Sequence, residues 1–372
     1  MNKGIFRIDW YLAGALIPII GAGLVTMNAF VGEGNNFQKQ SLWVIIGFAI
    51  FYLCSFIDFR FLRRTPVVLS LFGASILSLL LLFVVGHVAK GAKNWISVGL
   101  FSIQPSDPVK LVLIILLSKY FSRRHVEIAH IRHIIVSGFY AFVVFMLVAL
   151  QPDFGSAITI FAIWFGMVLV SGISKKHLAL VFMIGALAFG GLWTVGFKQY
   201  QKDRILNFIH PLANIRGSGY NAYQAMITVG SGQVLGKGIG YGTQSRLKFL
   251  PEYETDFIFA AFAEEWGFVG VILLFLLYGI VFWRIFSIAL RGETNFEILY
   301  GTGIAIWLMT HLVINIGMNI GILPVTGIPV PFMSYGGSHI LTEFLGLGIL
   351  MGMRNYSRAM HRDVIKNEFV GA

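Results

Sequence analysis

The chain passes from a polar segment into a strongly apolar one along Phe249-Leu-Pro-Glu-Tyr-Glu-Thr-Asp-Phe-Ile-Phe-Ala-Ala-Phe-Ala-Glu-Glu-Trp-Gly-Phe-Val-Gly270. Five carboxylates lie in this stretch, and Asp256 stands where the polar segment ends and an apolar helix is predicted to begin. Carboxylates at the edge of a lipid bilayer are energetically costly, which makes them candidates for function. The position of Asp256 suits a group that must meet both water and lipid.

The composition of the whole chain predicts a membrane protein. Of its 372 residues, 57% are hydrophobic and only 12% are charged. Many apolar runs approach the roughly 20 residues that a membrane-spanning helix needs. We therefore expect an all-α, polytopic membrane protein in which residues 1–372 form a single membrane domain. The only cysteine, Cys54, lies in an apolar run and is predicted to be a packing residue.

Ten apolar segments are predicted to be membrane helices. The fourth and tenth are short and the eighth is long, which predicts tilting, burial within the bundle or helices that begin inside the membrane. The predicted segments are 10–30, 41–57, 66–85, 108–120, 134–150, 156–172, 178–197, 256–283, 298–320 and 340–353.

The distribution of lysine and arginine predicts that both termini are cytoplasmic. With the N-terminus inside, most basic residues fall in cytoplasmic segments, and the short outer loops hold only Lys39, Lys90 and Lys93. The net charge of +11 is then explained by membrane topology. The basic residues do not form one patch with interleaved aromatic residues, so no nucleic-acid partner is predicted.

The segment 198–255 is predicted to be one long outer loop between the seventh and eighth helices. It holds seven basic residues that could bind a phosphate-bearing lipid, although a solvated loop near anionic headgroups would have the same charge. Its glycine-rich part, 230–244, fails the phosphate-loop pattern because Ser231 and Gly238 occupy two of the required positions. These glycines serve either close approach to a pyrophosphate or tight turns. The seven residues are Lys198, Lys202, Arg204, Arg216, Lys237, Arg246 and Lys248.

Three further outer segments carry polar groups into the predicted membrane region. Asp107 and Lys110 are three residues apart and share one face of a helix that starts near residue 106. Asp153 lies in the tight turn 151–157, either as a functional acid or as the N-cap of the sixth helix. The segment 323–338 holds three prolines and cannot form an ordinary helix, so we expect irregular backbone that lines a cavity or is buried in protein.

Several motifs in these segments resemble the SEDS proteins, the family of RodA and FtsW. The resemblance covers nearly the whole chain, and the motifs follow in the same order. Residues 317–321, Gly-Met-Asn-Ile-Gly, are more similar to RodA, the elongation member, than to FtsW. The motifs include Gly91-Ala-Lys-x-Trp-Ile, Gln151-Pro-Asp-x-Gly, Gly236-Lys-Gly, Phe249-Leu-Pro-Glu, Thr255-Asp-Phe-Ile-Phe and Leu323-Pro-Val-Thr-Gly-Ile-Pro-x-Pro-Phe-x-Ser-Tyr-Gly-Gly-Ser338.

The resemblance implies a peptidoglycan glycosyltransferase that polymerises lipid II at the outer face of the bacterial cytoplasmic membrane during cell elongation. It also implies a class B penicillin-binding protein as the crosslinking partner. The essential acid of the family corresponds to Asp256, its partner acid and lysine to Asp107 and Lys110, and the acid of the turn between its fifth and sixth helices to Asp153. Asp107 replaces the usual glutamate, which shortens the reach of this acid, and Glu254 replaces the usual histidine.

The chemistry of glycan extension assigns roles to these residues. A sugar hydroxyl must lose a proton as it attacks an anomeric carbon, and Asp256 is the predicted general base. Lys110 is predicted to orient Asp256 or to neutralise phosphate. Lys237, Arg246 and Lys248 are predicted to hold the departing pyrophosphate, alone or with a divalent cation such as Mg²⁺.

The remaining polar residues of these segments receive supporting roles. Ser334, in the irregular segment, is also predicted to bind substrate. Glu252 and Glu254 are predicted to modulate the proton affinity of Asp256, because like charges nearby favour its protonated form. Glu264 and Glu265 are predicted to be helix-packing residues.

Two other functions would use the same fold. A lipid II transporter would place Asp256 and Lys110 as a coupling pair inside a gated cavity, near the membrane midplane. A scaffold would use the helices only to hold a penicillin-binding protein. The clustering of acids at outer loop ends disfavours the transporter, and embedded acids give a scaffold no benefit that apolar packing would not supply.

Overall fold

The computed structural model describes residues 8–29, 36–89, 92–98, 101–122, 131–210, 217 and 219–368. The described chain is predominantly α-helical, which confirms the predicted all-α fold class. Its α-helices are α1 (Trp10–Ala29), α2 (Asn36–Cys54), α3 (Thr65–Val85), α4 (Ser106–Ser122), α5 (Ile131–Leu150), α6 (Phe154–Val170), α7 (Lys175–Gly191), α8 (Gln199–Ile209), α9 (Tyr220–Ser231), α10 (Thr243–Arg246), α11 (Ile258–Ala289), α12 (Asn295–Asn319) and α13 (Gly337–Glu368).

Each of the ten predicted segments coincides with a helix, namely α1 to α7 and α11 to α13. Among the described residues, six helices, α1, α2, α3, α5, α11 and α12, are long and apolar enough to cross a membrane, and α6 is apolar but shorter. The chain is therefore a polytopic membrane protein. The remaining three are shorter or carry more polar residues, so the number of crossings and the side that each loop faces stay predictions.

The structure differs from the sequence-based expectation between the helices. The segment predicted as a long outer loop contains α8, α9 and α10. Between α3 and α4 lies a small antiparallel sheet that was not predicted, with the order β1 (His87–Ala89), β2 (Ala92–Val98) and β3 (Phe101–Ile103). The tenth segment was predicted to end at 353, where the apolar run ends. Helix α13 continues through the polar residues that follow, as far as Glu368.

The centre of the bundle is α12. This helix packs against α4, α6, α9, α11 and α13, while α1 packs against α11 and α2 against α13. Its large side chains Tyr300 and Trp307 are fully buried, together with Phe344 of α13. Since α12 is surrounded by other helices, polar groups on it face protein rather than lipid.

A buried ion cluster ties the start of α1 to two later helices. The Asp9 carboxylate lies 3.1 Å from Nε of Arg284 and 2.8 Å from Nη1 of Arg354. It also accepts a hydrogen bond of 3.0 Å from the Leu12 backbone N–H, in the first turn of α1. One carboxylate thus fixes the relative positions of α1, α11 and α13, at the end predicted to be cytoplasmic.

The glycine-rich segment 230–244 is inserted into a break in α11. The break lies at Gly267, where φ is 66° and ψ is −168°. On one side of it, the Phe268 N–H donates to the Gln233 carbonyl at 2.9 Å. On the other side, the Lys237 N–H donates to the Glu264 carbonyl, also at 2.9 Å. Backbone groups that the interrupted helix leaves unpaired are therefore satisfied by the segment 230–244.

Gly236→Ala is expected to destabilise the protein by about 2–5 kcal/mol. The residue has a φ of 80°, and a Cβ there would lie 2.1 Å from the Glu265 carbonyl oxygen, which is backbone and cannot rotate away. Thermal unfolding of the detergent-solubilised protein measures the effect. Gly185→Ala in α7, where a Cβ would meet no atom within 4 Å, is the control. Equal unfolding temperatures for the two variants would contradict the tight insertion.

Candidate active site

Asp256 lies in the turn immediately before α11 and is half-buried. Two amides of α12 bind its backbone carbonyl: Asn315 Nδ2 donates at 2.9 Å and Asn319 Nδ2 at 3.2 Å. Asn315 also donates to the Ile328 carbonyl at 2.7 Å. The central helix therefore holds the main chain of Asp256 and the irregular segment 323–338 in one fixed arrangement.

The segment 323–338 is irregular, as its prolines predicted, and it packs against Asp256. Gly327 has a φ of 76°, and a Cβ at this position would lie 3.4 Å from the Asp256 carboxylate. Ser334 is buried, donates to the Thr255 carbonyl at 2.7 Å and accepts from the Val330 N–H at 2.8 Å. The Ser334 hydroxyl thus ties this segment to the residue before Asp256, and its contact with a substrate stays a prediction.

Two tyrosines lie beside Glu254: Tyr253 in the turn before α11 and Tyr335 in the irregular segment 323–338. The Tyr335 N–H donates to the Glu254 carbonyl at 2.8 Å, and the Glu254 side chain accepts from Asn36. Burial raises the pKa of the Tyr253 and Tyr335 phenols above the usual value, and the Glu254 carboxylate adds to the effect. Tyrosine phenols are protonated at neutral pH at their usual pKa, and the upward shift extends their capacity to donate hydrogen bonds to more alkaline pH.

Asp107 and Lys110 form a buried ion pair in the first turn of α4. The Lys110 ammonium lies 3.1 Å from the Asp107 carboxylate, and the two residues are only 2% and 3% exposed. The predicted helix start and shared face are confirmed. Burying both partners of an ion pair is costly, and ionisable residues inside membrane segments usually serve a function. The pair is therefore a candidate for a role in the site.

Asp153 is the N-cap of α6. Its carboxylate accepts a 3.0 Å hydrogen bond from the Ser156 N–H, which confirms the capping interpretation. The other carboxylate oxygen accepts from Gln104 at 2.9 Å and from Asn94 at 3.3 Å. Gln104 lies just before α4, so Asp153 joins α6 to the start of the helix that carries Asp107. A direct contact of Asp153 with substrate stays a prediction.

Lys237 is paired with Glu264, one of the two predicted helix-packing acids. Its ammonium lies 2.7 Å from the Glu264 carboxylate, which is fully buried and also accepts from the Gln244 N–H at 3.1 Å. Positive φ angles at three glycines, Gly236, Gly238 and Gly240, show that tight turns shape the segment 230–244. The Lys237 side chain is 29% exposed, so its charge still reaches the surface.

Arg246 and Lys248 are exposed on the surface of the segment that leads to Asp256. Arg246 ends α10, and Lys248 follows with a φ of 57°. The structure therefore brings Asp256, Ser334 and the irregular segment into direct packing, whereas these two cations stand at the surface. Their contact with a pyrophosphate stays a prediction.

Sequence reasoning missed three polar residues that are buried beside the Asp107/Lys110 pair. His339 Nδ1 lies 3.6 Å from the Asp107 carboxylate, and His339 Nε2 lies 2.8 Å from the Glu343 carboxylate. The His339 ring stacks on His311 of α12, with centroids 4.9 Å apart. The signal that could have revealed them is the presence of ionisable residues in or next to predicted membrane segments, with His339 and Glu343 at helical i,i+4 spacing.

In the part of the chain that the structure describes, no group of three or more His, Cys, Asp or Glu side chains has the arrangement of a metal site. The cation beside Asp107 in the structure is the Lys110 ammonium. A divalent cation such as Mg²⁺, held together with substrate phosphates, stays a prediction.

Membrane-spanning helices, a buried charged pair and an irregular segment packed on a carboxylate define the class: a polytopic membrane protein with a polar site at its helix ends. The sequence matches the FtsW, RodA and SpoVE family, described as "Cell cycle protein", over residues 5–359. The chain belongs to this family, which confirms the resemblance seen in the motifs.

Similar proteins and structures agree with this assignment. Stage V sporulation protein E of Bacillus subtilis is 35% identical, over 92% of this chain and 93% of its own. Peptidoglycan glycosyltransferase MrdB of Escherichia coli K12 is 34% identical over 75% of each chain. The crystal structure of RodA from Thermus thermophilus has a TM-score of 0.70 and 29% identity, covering 93% of this chain and 96% of its own. A chain of a peptidoglycan synthase complex that coordinates polymerization and crosslinking has a TM-score of 0.81 and 30% identity, covering 94% and 98%.

Proposed function

We propose that this chain is a peptidoglycan glycosyltransferase that polymerises lipid II into glycan strands, with Asp256 as the general base. The observation that carries the proposal is the placement of Asp256. Its backbone is fixed by Asn315 and Asn319, and its carboxylate lies against Gly327, at the entrance of a membrane helix. The names of the family relatives, which include peptidoglycan glycosyltransferases, support the reaction class.

The proposed reaction is the attack of a sugar hydroxyl on the anomeric carbon of a lipid-linked sugar. Asp256 takes the hydroxyl proton as the new carbon–oxygen bond forms, and the bond from the anomeric carbon to the pyrophosphate oxygen breaks. Negative charge grows on the leaving pyrophosphate, where Arg246 and Lys248 on the neighbouring surface segment would stabilise it. Lys110 keeps the Asp107 carboxylate paired inside the bundle and supplies positive charge to the site.

The proposed setting is the bacterial cytoplasmic membrane, with the active site facing outward and a role in cell elongation. A class B penicillin-binding protein is the proposed partner, and it would crosslink the strands that this chain makes. Support comes from the likeness to a chain of a peptidoglycan synthase complex and to RodA. The predicted distribution of basic residues supports the orientation.

Reconstitution tests the function. The purified protein, with and without a class B penicillin-binding protein, is incubated with labelled lipid II in detergent or proteoliposomes, and glycan strands are resolved by gel electrophoresis. Strand formation by the intact protein is expected, and it would exclude a pure transporter and a pure scaffold. Movement of lipid II across the vesicle membrane with no strand formed would favour the transporter instead.

The predicted cations are expected to separate into two groups. Arg246→Gln and Lys248→Gln should each raise the KM for lipid II about tenfold, because each removes a charge-assisted contact to phosphate. Lys237→Met should mainly lower the unfolding temperature, because it leaves the buried Glu264 carboxylate without its cation. Steady-state kinetics and thermal unfolding measure both effects, with Lys175→Gln at the start of α7 as the control. An unchanged KM for both exposed-cation variants would contradict the pyrophosphate role.

A further inference from the structure

Four ionisable side chains form a buried chain of contacts from α4 to α13, which we call the charge cluster: Asp107, Lys110, His339 and Glu343. One oxygen of Asp107 faces both the Lys110 ammonium at 3.1 Å and His339 Nδ1 at 3.6 Å. The other imidazole nitrogen, Nε2, lies 2.8 Å from Glu343. All four residues are at least 95% buried. His339 is therefore the link between the two carboxylates.

The charges of the cluster balance when His339 is positively charged. Two carboxylates face the single ammonium of Lys110, and an uncompensated charge at such depth is strongly unfavourable. Both ring nitrogens of His339 face a carboxylate, and an imidazole carries a proton on both nitrogens only when it is positively charged. An imidazolium at His339 makes the cluster neutral.

The neighbouring His311 is a neutral ring, so it adds no positive charge beside His339. Its Nε2 lies 3.1 Å from Trp307 Nε1, and an indole N–H can only donate, so His311 Nε2 must accept. A histidine that accepts at a ring nitrogen is uncharged. The His311 and His339 rings are nearly parallel, at 7°. A neutral imidazole thus lies flat on His339 and limits the rotation of its ring.

The cluster also reaches the segment that packs on Asp256. The second oxygen of Glu343 accepts a 2.9 Å hydrogen bond from the Phe332 N–H, in the segment 323–338. The same segment binds the main chain beside Asp256 through Ser334. A displacement of His339 would therefore shift the Asp107/Lys110 pair on one side and the support of Asp256 on the other.

We propose that His339 is a positioning residue: held between Glu343 and the His311 ring, it provides the second positive charge on Asp107. It fixes this short carboxylate and Lys110 relative to the segment that supports Asp256. The inference rests on the proposed glycosyltransferase function and adds to it two residues, His339 and Glu343, that position the reacting groups without touching substrate. Aspartate is one methylene shorter than the glutamate usual at position 107. The His339 imidazole lies between α4 and α13 and makes the contact to α13 that the shorter side chain would not make directly.

A charge-neutral double variant tests the proposal. His339→Gln alone leaves the cluster with an excess negative charge and is expected to lower both the unfolding temperature and the rate. His339→Gln with Glu343→Gln restores neutrality, so the unfolding temperature should recover. The kcat for lipid II polymerisation should stay reduced about tenfold or more, with KM changed less than about twofold, because Asp107 has still lost its second cation. Recovery of both stability and kcat would show a merely structural role and overturn the proposal.

Glu343→Gln is the second variant, in case the double variant does not fold. The amide keeps the size of Glu343 and an oxygen for the Phe332 N–H, but it removes the charge that holds His339. We expect a kcat reduced about three- to tenfold and a lowered unfolding temperature, because the cluster then holds one excess positive charge, and an unchanged kcat would overturn the proposal. His133→Gln is the control, since His133 is a buried histidine of α5 that contacts Tyr120 and lies outside the charge cluster.

The same assay separates this inference from the proposed function. A wild-type protein that makes no glycan overturns the glycosyltransferase proposal itself. Active wild-type protein with a fully active, stable double variant overturns only the role of His339.

Discussion

Asp256→Asn is expected to lower the rate of lipid II polymerisation by about 100- to 10,000-fold without unfolding the protein. The amide has the size of the carboxylate but cannot accept the proton of the attacking hydroxyl. The fold should persist because Asn315 and Asn319 bind the backbone carbonyl of residue 256, which the substitution leaves in place. The initial rate of strand formation and the thermal unfolding temperature are the two measurements.

Asp203→Asn is the matched control for this variant. Asp203 lies on α8, in the stretch between α7 and α11 that also contains Asp256, and accepts a 2.8 Å hydrogen bond from Gln199. Its substitution makes the same change of charge at a residue that has no role in the proposed site. Its rate should equal that of the wild type. Glycan formation by the Asp256→Asn protein at the wild-type rate would rule out Asp256 as the general base.

Lys110→Met is expected to be the second most damaging substitution, with a rate loss of about 100-fold. It removes the cation closest to Asp107 and leaves a carboxylate buried with a deficit of positive charge. Loss of one partner of a buried ion pair costs about 3–5 kcal/mol, so the unfolding temperature should fall as well. Rate and stability are measured on the same purified preparation.

The double substitution of Asp107→Asn with Lys110→Met separates the two effects. It removes both charges of the pair and should recover much of the lost stability while the rate stays low. Undiminished polymerisation by the Lys110→Met protein would mean that the pair is only structural.

The helices were predictable because lipid imposes a simple requirement on length and polarity. The run 108–120 lies within α4, and all but the last residue of the run 298–320 lies within α12, although both helices begin at polar residues before the predicted start. The three prolines of 323–338 excluded a helix, and the structure agrees. The strands β1 to β3 and the helices α8 to α10 escaped prediction, because their polar or short segments have neither apolar length nor clear periodicity.

The candidate site was predictable only in part, because most of its partners come from distant parts of the chain. The spacing of Asp107 and Lys110 gave the ion pair directly. The contact of His339 with Asp107 depends on the packing of α13 beside α4, which no local pattern contains. The pairing of Lys237 with Glu264 likewise depends on the break at Gly267, where the segment 230–244 enters α11.

The Asp9 cluster has a consequence for the biogenesis of the bundle. Asp9 lies near the N-terminus, whereas Arg284 and Arg354 follow only after most of the chain has been synthesised. Since the ribosome makes the N-terminal helices first, α1 enters the membrane long before either arginine exists. Its carboxylate then has neither arginine partner, and the three-way contact forms only once α13 has been made. Helix α13 therefore completes the contact that holds α1 in place. A chain truncated before Arg354 would lack one of the two arginines that bind Asp9.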